Sequence, residues 1–180
     1  DSASDARVRP LPDRQPSMHS FTDEQLRSSF LNASLRERKA MPTPPDFDAT
    51  RWDQLDYLGW RDPKAPSLGY LVADLDAEPV GILLRQAERT PRSRAQCSWC
   101  EDVTLPNPVV FFSVKRAGDA GRRGDTVGSL VCAGFECSAN VRRRPALAYI
   151  GFDVDAERER RIAALQDRVA AFVRNVRNGA

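Results

Sequence analysis

The sequence predicts an α+β fold, in which a small antiparallel sheet lies between an N-terminal helix and a C-terminal amphipathic helix. Three observations support this prediction. Two pairs of segments rich in β-branched and aromatic residues are each joined by a polar connection, which is typical of β-hairpins. The last part of the chain repeats apolar residues at helical spacing. Four cysteines stand in two close pairs on either side of the second hairpin, so that hairpin would bring the pairs together.

The composition is that of an ordinary globular chain of 180 residues, with 41% hydrophobic residues, 29% charged residues and a formal net charge of +2. This length predicts one domain with at most a small appendage. The charge balance does not by itself indicate nucleic-acid binding. Because the sequence contains no secretory signal and no long apolar run, we expect a cytoplasmic protein without membrane contact. We also expect a monomer that has no small-molecule substrate.

The composition along the chain divides it into three parts. Residues 1–19 are polar and rich in proline, so we expect a disordered tail. Residues 20–50 are predicted to form the N-terminal helix and a proline-rich linker. Residues 51–180 are predicted to form the α+β domain, within which residues 96–145 hold both cysteine pairs and the hairpin between them.

The first helix is predicted to begin after Thr22. Thr22 and Gln25 form the Thr-x-x-Gln pattern of a capping box, in which each side chain bonds the other residue's backbone N–H. Leu26 and Phe30 then fall on one face of a helix that continues. The prolines from Pro42 onward are expected to end it.

A short helix and a hairpin are predicted before the first cysteine pair. Trp52 and Leu58 suit a short helix that Gly59 would end. The aromatic residues of this stretch are more typical of a core than of a binding platform. Residues 68–75 and 79–85, joined by an acidic turn, are predicted to form the first hairpin.

The cysteine pairs have the spacing C-x2-C-x31-C-x4-C, with Cys97 and Cys100 in the first pair and Cys132 and Cys137 in the second. Two thiolates on one turn can supply two of the four ligands of a tetrahedral Zn²⁺ ion. The hairpin between the pairs would bring the second pair back to supply the other two. We therefore predict a structural zinc site with these four cysteines as ligands. Four thiolates leave no open position for a catalytic water, and the only histidine, His19, is distant in the sequence.

Other uses of the cysteines remain open at this point, since they could be unligated, form disulfides or act as a redox pair. A reducing compartment disfavours disulfides. A redox Cys-x-x-Cys normally opens a helix, whereas Pro106 closely follows the first pair here. The negative charge of a four-thiolate zinc would be balanced by the flanking arginines, which are Arg92, Arg94 and the three at 142–144.

Between the cysteine pairs, residues 109–115 and 127–131 are predicted to form the second hairpin, with a long, basic, glycine-rich connection at an exposed tip. A short helix is predicted from Cys137 to Arg144. A cysteine knuckle, a hairpin and a ligand pair at the start of a helix, in this order, make a treble clef.

The remaining residues are predicted to form a strand over 146–152 and a long final helix. This helix is the clearest element in the sequence, and Asp153 or Asp155 could cap it. Its apolar face repeats at helical spacing and should pack on the sheet; the residues of that face are Ile162, Leu165, Val169, Phe172, Val173 and Val176.

From residue 52 to its C-terminus, the chain resembles the FusB-type proteins, which bind elongation factor G and end in a treble-clef zinc finger. The resemblance lies in the two cysteine pairs, the basic hairpin between them, the Asn-Val-Arg run after the last cysteine, and the upstream runs Leu-Gly-Trp-Arg-Asp and Pro-Val-Gly-Ile. It implies a protein whose finger binds elongation factor G and promotes release of the factor from the ribosome. In some members of the family this activity rescues translation from fusidic acid.

The resemblance also implies a set of partner-binding residues. The family's contact surface includes an aromatic residue in the first knuckle, where this chain has Trp99, and Lys and Tyr residues that lead to the third cysteine. Arg122 and Arg123 stand in that approach here, without a tyrosine. Arg142 and Arg143, beside the second cysteine pair, complete the predicted partner surface.

A second function also fits the basic residues, namely a zinc-finger protein that binds ribosomal RNA. That function predicts an affinity that falls steeply with salt, whereas factor binding predicts an interface that depends on an aromatic residue. An enzyme is not predicted, because the sequence has no P-loop, no Gly-x-Ser-x-Gly, no HExxH motif and no histidine-based triad.

Overall fold

The computed structural model describes residues 18–88, 93–104 and 106–178. Residues 1–17 of the predicted tail, and Arg92, lie outside these ranges. Five helices, five strands and two 3₁₀ turns, at Phe47–Ala49 and Trp52–Gln54, are found in the described part. The helices are α1 Asp23–Ser28, α2 Leu35–Ala40, α3 Gly118–Arg122, α4 Cys137–Arg142 and α5 Val154–Asn178, and the strands are β1 Leu58–Arg61, β2 Leu68–Leu75, β3 Glu78–Gln86, β4 Val109–Lys115 and β5 Thr126–Cys132.

The sheet is antiparallel throughout, and its strand order is the chain order β1-β2-β3-β4-β5. Both predicted hairpins are confirmed. The β2–β3 turn consists of Asp76 and Ala77, both in the left-handed region at φ 58° and 65°, as a two-residue hairpin turn of the right twist requires. The β3–β4 pairing is short, with Arg85 opposite Ser113 and Gln86 opposite Phe112.

The N-terminal capping box of Thr22 and Gln25 is confirmed, but the single continuous helix is wrong. Two six-residue helices form instead. The helix breaks because the chain at Phe30 makes a parallel bridge to Gly81 of β3, with Leu31 N–H donating to Gly81 O at 2.9 Å. A second capping box, Ser34 with Glu37, then restarts the helix as α2.

The predicted helix that ends at Gly59 is also wrong. After the 3₁₀ turn at Trp52–Gln54 the chain enters β1, and Gly59 lies inside this strand opposite Leu71. Leu58 and Trp60 are buried on one face of the sheet. On the other face Gly59 leaves room for Phe135, since a Cβ at Gly59 would stand 2.6 Å from the Cγ atom of Phe135.

The predicted strand over residues 146–152 is absent from the structure. This segment is an irregular connection between α4 and α5, and its side chains Leu147, Tyr149 and Ile150 are exposed. Apolar β-formers adopt a strand only where a neighbouring strand completes the ladder, and in the described part of the chain no strand pairs with this segment.

Two apolar clusters fill the two faces of the sheet. One face of β2 and β3 packs with β4, β5, the cysteines and α5, and the opposite face of β1–β3 is covered by residues 18–41. The predicted apolar face of α5 is confirmed, with Ile162, Leu165, Val169, Val173 and Val176 buried. Asp153 caps this helix by accepting hydrogen bonds from the backbone N–H groups of Asp155 and Ala156 at 3.1 and 2.9 Å.

Within residues 18–88, 93–104 and 106–178, no helix combines the length and the apolarity that crossing a bilayer demands.

Candidate metal centre

The four cysteines converge at one end of the second hairpin. Cys97 and Cys100 lie in a turn before β4, Cys132 is the last residue of β5, and Cys137 is the first residue of α4. All four are buried and none forms a disulfide. Their sulfur atoms all lie within 4.8 Å of one another.

The sulfur geometry fits a tetrahedral zinc ion. A tetrahedron with Zn–S bonds of about 2.3 Å has edges of about 3.8 Å. The Sγ atoms of Cys97 and Cys137 are 3.6 Å apart, and those of Cys100 and Cys132 are 3.7 Å apart. The four side chains therefore form a closed structural zinc site, in which the ion would join the turn, the hairpin and α4.

The backbone of each half of the site includes one residue in the left-handed region. Glu101 has φ 54° directly after Cys100, and Phe135 has φ 61° between Cys132 and Cys137. Such angles cost about 1 kcal/mol or more for residues other than glycine. Each is held by further contacts. Glu101 forms an ion pair with Arg168 of α5 at 2.7 Å, and the Phe135 ring stacks on Phe112 with centroids 5.4 Å apart.

Neutral N–H groups point at three of the four sulfurs. The backbone N–H of Trp99 lies 3.4 Å from the Cys97 sulfur. The amide nitrogen of the buried Asn140 lies 3.6 Å from the Cys100 sulfur and 3.5 Å from the Cys132 sulfur. Such donors stabilise the thiolate form of metal ligands.

Of the arginines expected to balance the negative charge of the four thiolates, those that the structure describes are either exposed or paired with another residue. Arg142 pairs with the buried carboxylate of Asp56. The side chains of Arg94, Arg143 and Arg144 are exposed, and Arg92 lies outside the described residues. The sulfurs are therefore stabilised by short-range neutral donors in this structure.

The four thiols cannot all lose their protons without a cation. Hydrogen bonds from Cys100 and the other cysteines lower the pKa of Cys97, while the cluster raises the pKa of Cys132 and Cys137, in each case first through Cys100. The pKa of Cys97 falls because neighbouring S–H groups donate hydrogen bonds to its thiolate. The pKa values of Cys132 and Cys137 rise because further thiolates in the cluster would repel the first. A bound divalent cation removes the repulsion and releases the remaining protons.

A buried ion pair fixes α4 against the segment before β1. The side chain of Asp56 is fully buried and accepts hydrogen bonds from Arg142 and from Gln166 of α5, the latter at 2.9 Å. The backbone N–H of Asp56 donates to the Ser138 hydroxyl at 3.0 Å. Because Ser138 follows Cys137, these contacts fix the position of Cys137 relative to Tyr57.

Trp99 packs in the core, with an exposed fraction of only 2%. Its ring makes edge contacts with Tyr57 and Phe172, at centroid distances of 5.4 and 5.5 Å. Its carbonyl accepts a hydrogen bond from Arg168 at 3.0 Å. Trp99 thus joins the first knuckle to α5 and presents almost no surface to a partner.

The other predicted partner-binding residues are not brought together. Arg143 is exposed beside the metal centre, whereas Arg122 and Arg123 are exposed at the opposite end of the β4–β5 hairpin. Each of these strands has seven residues, so the two ends are about 20 Å apart at about 3.4 Å per residue. Arg122 also pairs with Asp119.

Sequence reasoning missed Tyr57, Asn140 and Arg168 as supports of the metal centre. Asn140 could have been found, because it follows Cys137 by three residues in a predicted helix and so shares its face. Tyr57 and Arg168 reach the site from distant parts of the chain, and no local pattern indicates their positions.

The sheet, the knuckle, the hairpin and the helix that begins with a ligand together define a treble-clef zinc-finger protein. The family model described as "FBP C-terminal treble-clef zinc-finger" matches residues 25–176. The chain therefore belongs to this family.

Among solved structures, that of the fusidic acid resistance protein FusC is similar in fold, with 21% sequence identity and a TM-score of 0.50. The similarity covers 68% of this chain and 53% of FusC, so the chain spans about half the length of that protein. No curated protein sequence matches the chain significantly.

Proposed function

We propose that this chain is a non-catalytic zinc-finger protein that binds translation elongation factor G and promotes release of the factor from the ribosome. Membership in the treble-clef family supports the proposal, because the FusB-type proteins that the sequence resembles act on this factor. The similarity in fold to a fusidic acid resistance protein points in the same direction.

The observation that carries the proposal is a group of exposed apolar side chains in the connection that follows α4, the helix that begins with Cys137. They lie on residues 146–152, which we name the apolar loop, and they are Leu147, Tyr149 and Ile150, with exposed fractions of 68%, 67% and 103%. Large apolar side chains that are exposed together are typical of a protein-binding surface. Tyrosine with arginine nearby is a common hot-spot composition, and Arg143 and Arg144 are exposed just before the loop.

The helices on either side would hold the ends of this loop in place. The loop follows α4, which begins with the ligand Cys137, and it precedes α5, whose apolar face is buried in the core. Attachment to a helix at each end limits the conformations of the loop, which lowers the conformational entropy lost when a partner binds.

Binding of purified elongation factor G to the zinc-loaded chain tests the proposal. The triple variant L147A/Y149A/I150A should bind at least about tenfold more weakly, because it removes the apolar anchors. Its zinc content should stay that of the wild type, because the three side chains are exposed and are not part of the buried cluster that surrounds the cysteines. The control variant R122A/R123A, altered at the far end of the hairpin, should bind within about twofold of the wild type.

Two outcomes would change this assignment. Full binding by the triple variant would remove the apolar loop from the interface, and loss of binding in R122A/R123A alone would move docking to the hairpin tip. The alternative of ribosomal RNA binding predicts a different response. In that case RNA affinity should fall by orders of magnitude between about 50 and 200 mM salt, regardless of the apolar loop.

A further inference from the structure

A buried hydroxyl beside the metal centre lacks a hydrogen-bond partner. Tyr57 has an exposed fraction of 1%, and its hydroxyl oxygen bonds no group in residues 18–88, 93–104 and 106–178. Proteins rarely bury a hydroxyl in this state, because it has lost its bonds to water without replacing them. A polar group of this kind next to a metal site requires an explanation.

The ring of Tyr57 lies between the two halves of the metal centre. It makes an edge contact with Trp99 of the first knuckle at 5.4 Å and with Phe135 of the second at 6.5 Å. The hydrogen bond from Asp56 to Ser138 holds the adjacent backbone against the start of α4. The position of the hydroxyl is therefore set by contacts that do not involve the hydroxyl itself.

The groups that act on this hydroxyl are cysteine sulfurs. Among the side chains around the hydroxyl, Cys137 interacts with it most strongly, ahead of Cys97 and Cys132. A phenol hydroxyl can donate its proton to a suitable acceptor. A neutral thiol is a poor acceptor, whereas a thiolate accepts strongly.

The four sulfurs also differ in the donors that they already have. Cys97 lies near the N–H of Trp99, and Cys100 and Cys132 lie near the amide of Asn140. Cys137 is the sulfur with which the Tyr57 hydroxyl interacts most strongly.

We propose that the Tyr57 hydroxyl donates a hydrogen bond to the Cys137 thiolate in the zinc-loaded protein, and that Tyr57 is thereby a positioning residue of the metal centre. In this state each of the four thiolates faces one donor of the chain, and the buried hydroxyl has its partner. The inference concerns the metal centre alone and does not depend on elongation factor G.

The variant Y57F tests the proposal, because it removes the hydroxyl and keeps the ring contacts. Loss of a hydrogen bond to a metal ligand typically weakens metal affinity by about tenfold or more, and we expect that loss in competition with a zinc chelator. In the cobalt-substituted protein, the sulfur-to-cobalt charge-transfer bands of Y57F should shift to longer wavelength, since a thiolate without its donor gives electron density more readily.

Y70F is the matched control. Tyr70 is also buried, and its hydroxyl donates to Asp62 at 2.9 Å on the face of the sheet away from the cysteines. Y70F should keep wild-type zinc affinity and wild-type cobalt bands, whatever its effect on stability. The proposal is overturned if Y57F keeps a zinc affinity within about twofold of the wild type with unshifted bands, or if Y70F shifts both as much as Y57F does.

Discussion

Phe135 connects the metal centre to the sheet through a single ring. It lies between two metal ligands in the chain and covers Gly59 of β1 and Gly69 of β2, whose missing side chains leave the room it needs. The ring also stacks on Phe112 and meets Tyr57 at its edge. Its backbone is in the left-handed region, so it has little freedom to move aside.

The substitution G59A should therefore destabilise the protein. The added Cβ would stand 2.6 and 2.8 Å from the Cγ and Cβ atoms of Phe135, and overpacking of this kind costs about 1–3 kcal/mol. Urea unfolding of the zinc-loaded protein, followed by circular dichroism, measures the loss. In the F135A background, which lacks the Cγ and ring atoms, the added methyl group of G59A should cost less than in the wild type, and an interaction free energy near zero in this cycle would contradict the close contact.

At the scale of single residues, the sequence predicts the four zinc ligands but not the residues that hold them in position. The spacing of Cys97, Cys100, Cys132 and Cys137 is sufficient because zinc requires a fixed number of sulfur ligands. The sequence indicates Gly59 as the end of a helix. Its true role is to leave space for the ring of Phe135, and this contact is visible only in the tertiary structure. Trp99 reads as an exposed anchor for the same reason, and its burial depends on Phe172 of the distant α5.

At the scale of helices and strands, α5 is the element that contacts both ends of the β4–β5 hairpin. Its 25 residues span about 37 Å at about 1.5 Å per residue. Near its middle Arg168 binds the first knuckle. Near its end the carbonyl of Val176 accepts a hydrogen bond from Ala117 at 3.0 Å, and Arg116 bonds Asn175. One helix thus holds both ends of the β4–β5 hairpin.

The N-terminal turn of α5 contains an ion-pair cluster that can be tested. Glu157 accepts hydrogen bonds from Arg160 and Arg161 at 2.7–2.9 Å, and these arginines lower its pKa from 4.5 to about 2. The pairs therefore stabilise the folded state above about pH 4.5, and this contribution is lost as the pH falls toward 2. E157Q should lower stability at pH 7 by about 0.5 kcal/mol, because the cluster is at the surface.

Salt provides the control for E157Q. In 1 M salt the Debye length is about 3 Å, so the difference between E157Q and the wild type should largely disappear at constant pH. Thermal unfolding at low and high salt measures it. A difference that persists unchanged in high salt would mean that Glu157 acts through packing instead of charge.

The elements with sustained patterns are the ones that the sequence predicts correctly. Strands β2 and β3 are mainly apolar over eight and nine residues, the helical stripe of α5 runs from Ile162 to Val176, and the turn residues between the strands fit a hairpin. The failures fall on short segments. The bridge from Phe30 to Gly81 decides where the first helix breaks, and local propensity contains no information about a strand 51 residues away.

In the whole molecule, the two faces of the sheet depend on the metal to different degrees. The face that carries the four cysteines also packs against α5. The other face is covered by residues 18–41, which pack on it through Leu26 and Phe30. The side chain of Asn32 also accepts a hydrogen bond from the Leu83 N–H at 2.8 Å and donates one to the Leu83 carbonyl at 3.0 Å. Those contacts do not involve a cysteine.

Removal of zinc by a strong chelator should accordingly unfold one side of the protein first. Metal binding and folding are coupled in sites of this type, so amide hydrogen exchange should accelerate over residues 96–142 and over the part of α5 near Arg168. Exchange in β2 and β3 should change less. Return of zinc should restore protection, and unchanged protection of residues 96–142 in the metal-free protein would contradict a structural role for the ion.

The strands lie in the sheet in the order in which they occur in the chain, and this order has a consequence for folding during translation. Each strand pairs with the strand synthesised just before it, so the sheet can assemble one strand at a time during translation. The last metal ligand follows soon after β5, but the helix that covers β2 and β3 is synthesised later. Until then this apolar face is open to chaperones, and a nascent chain stalled before α5 would be the form most prone to aggregate.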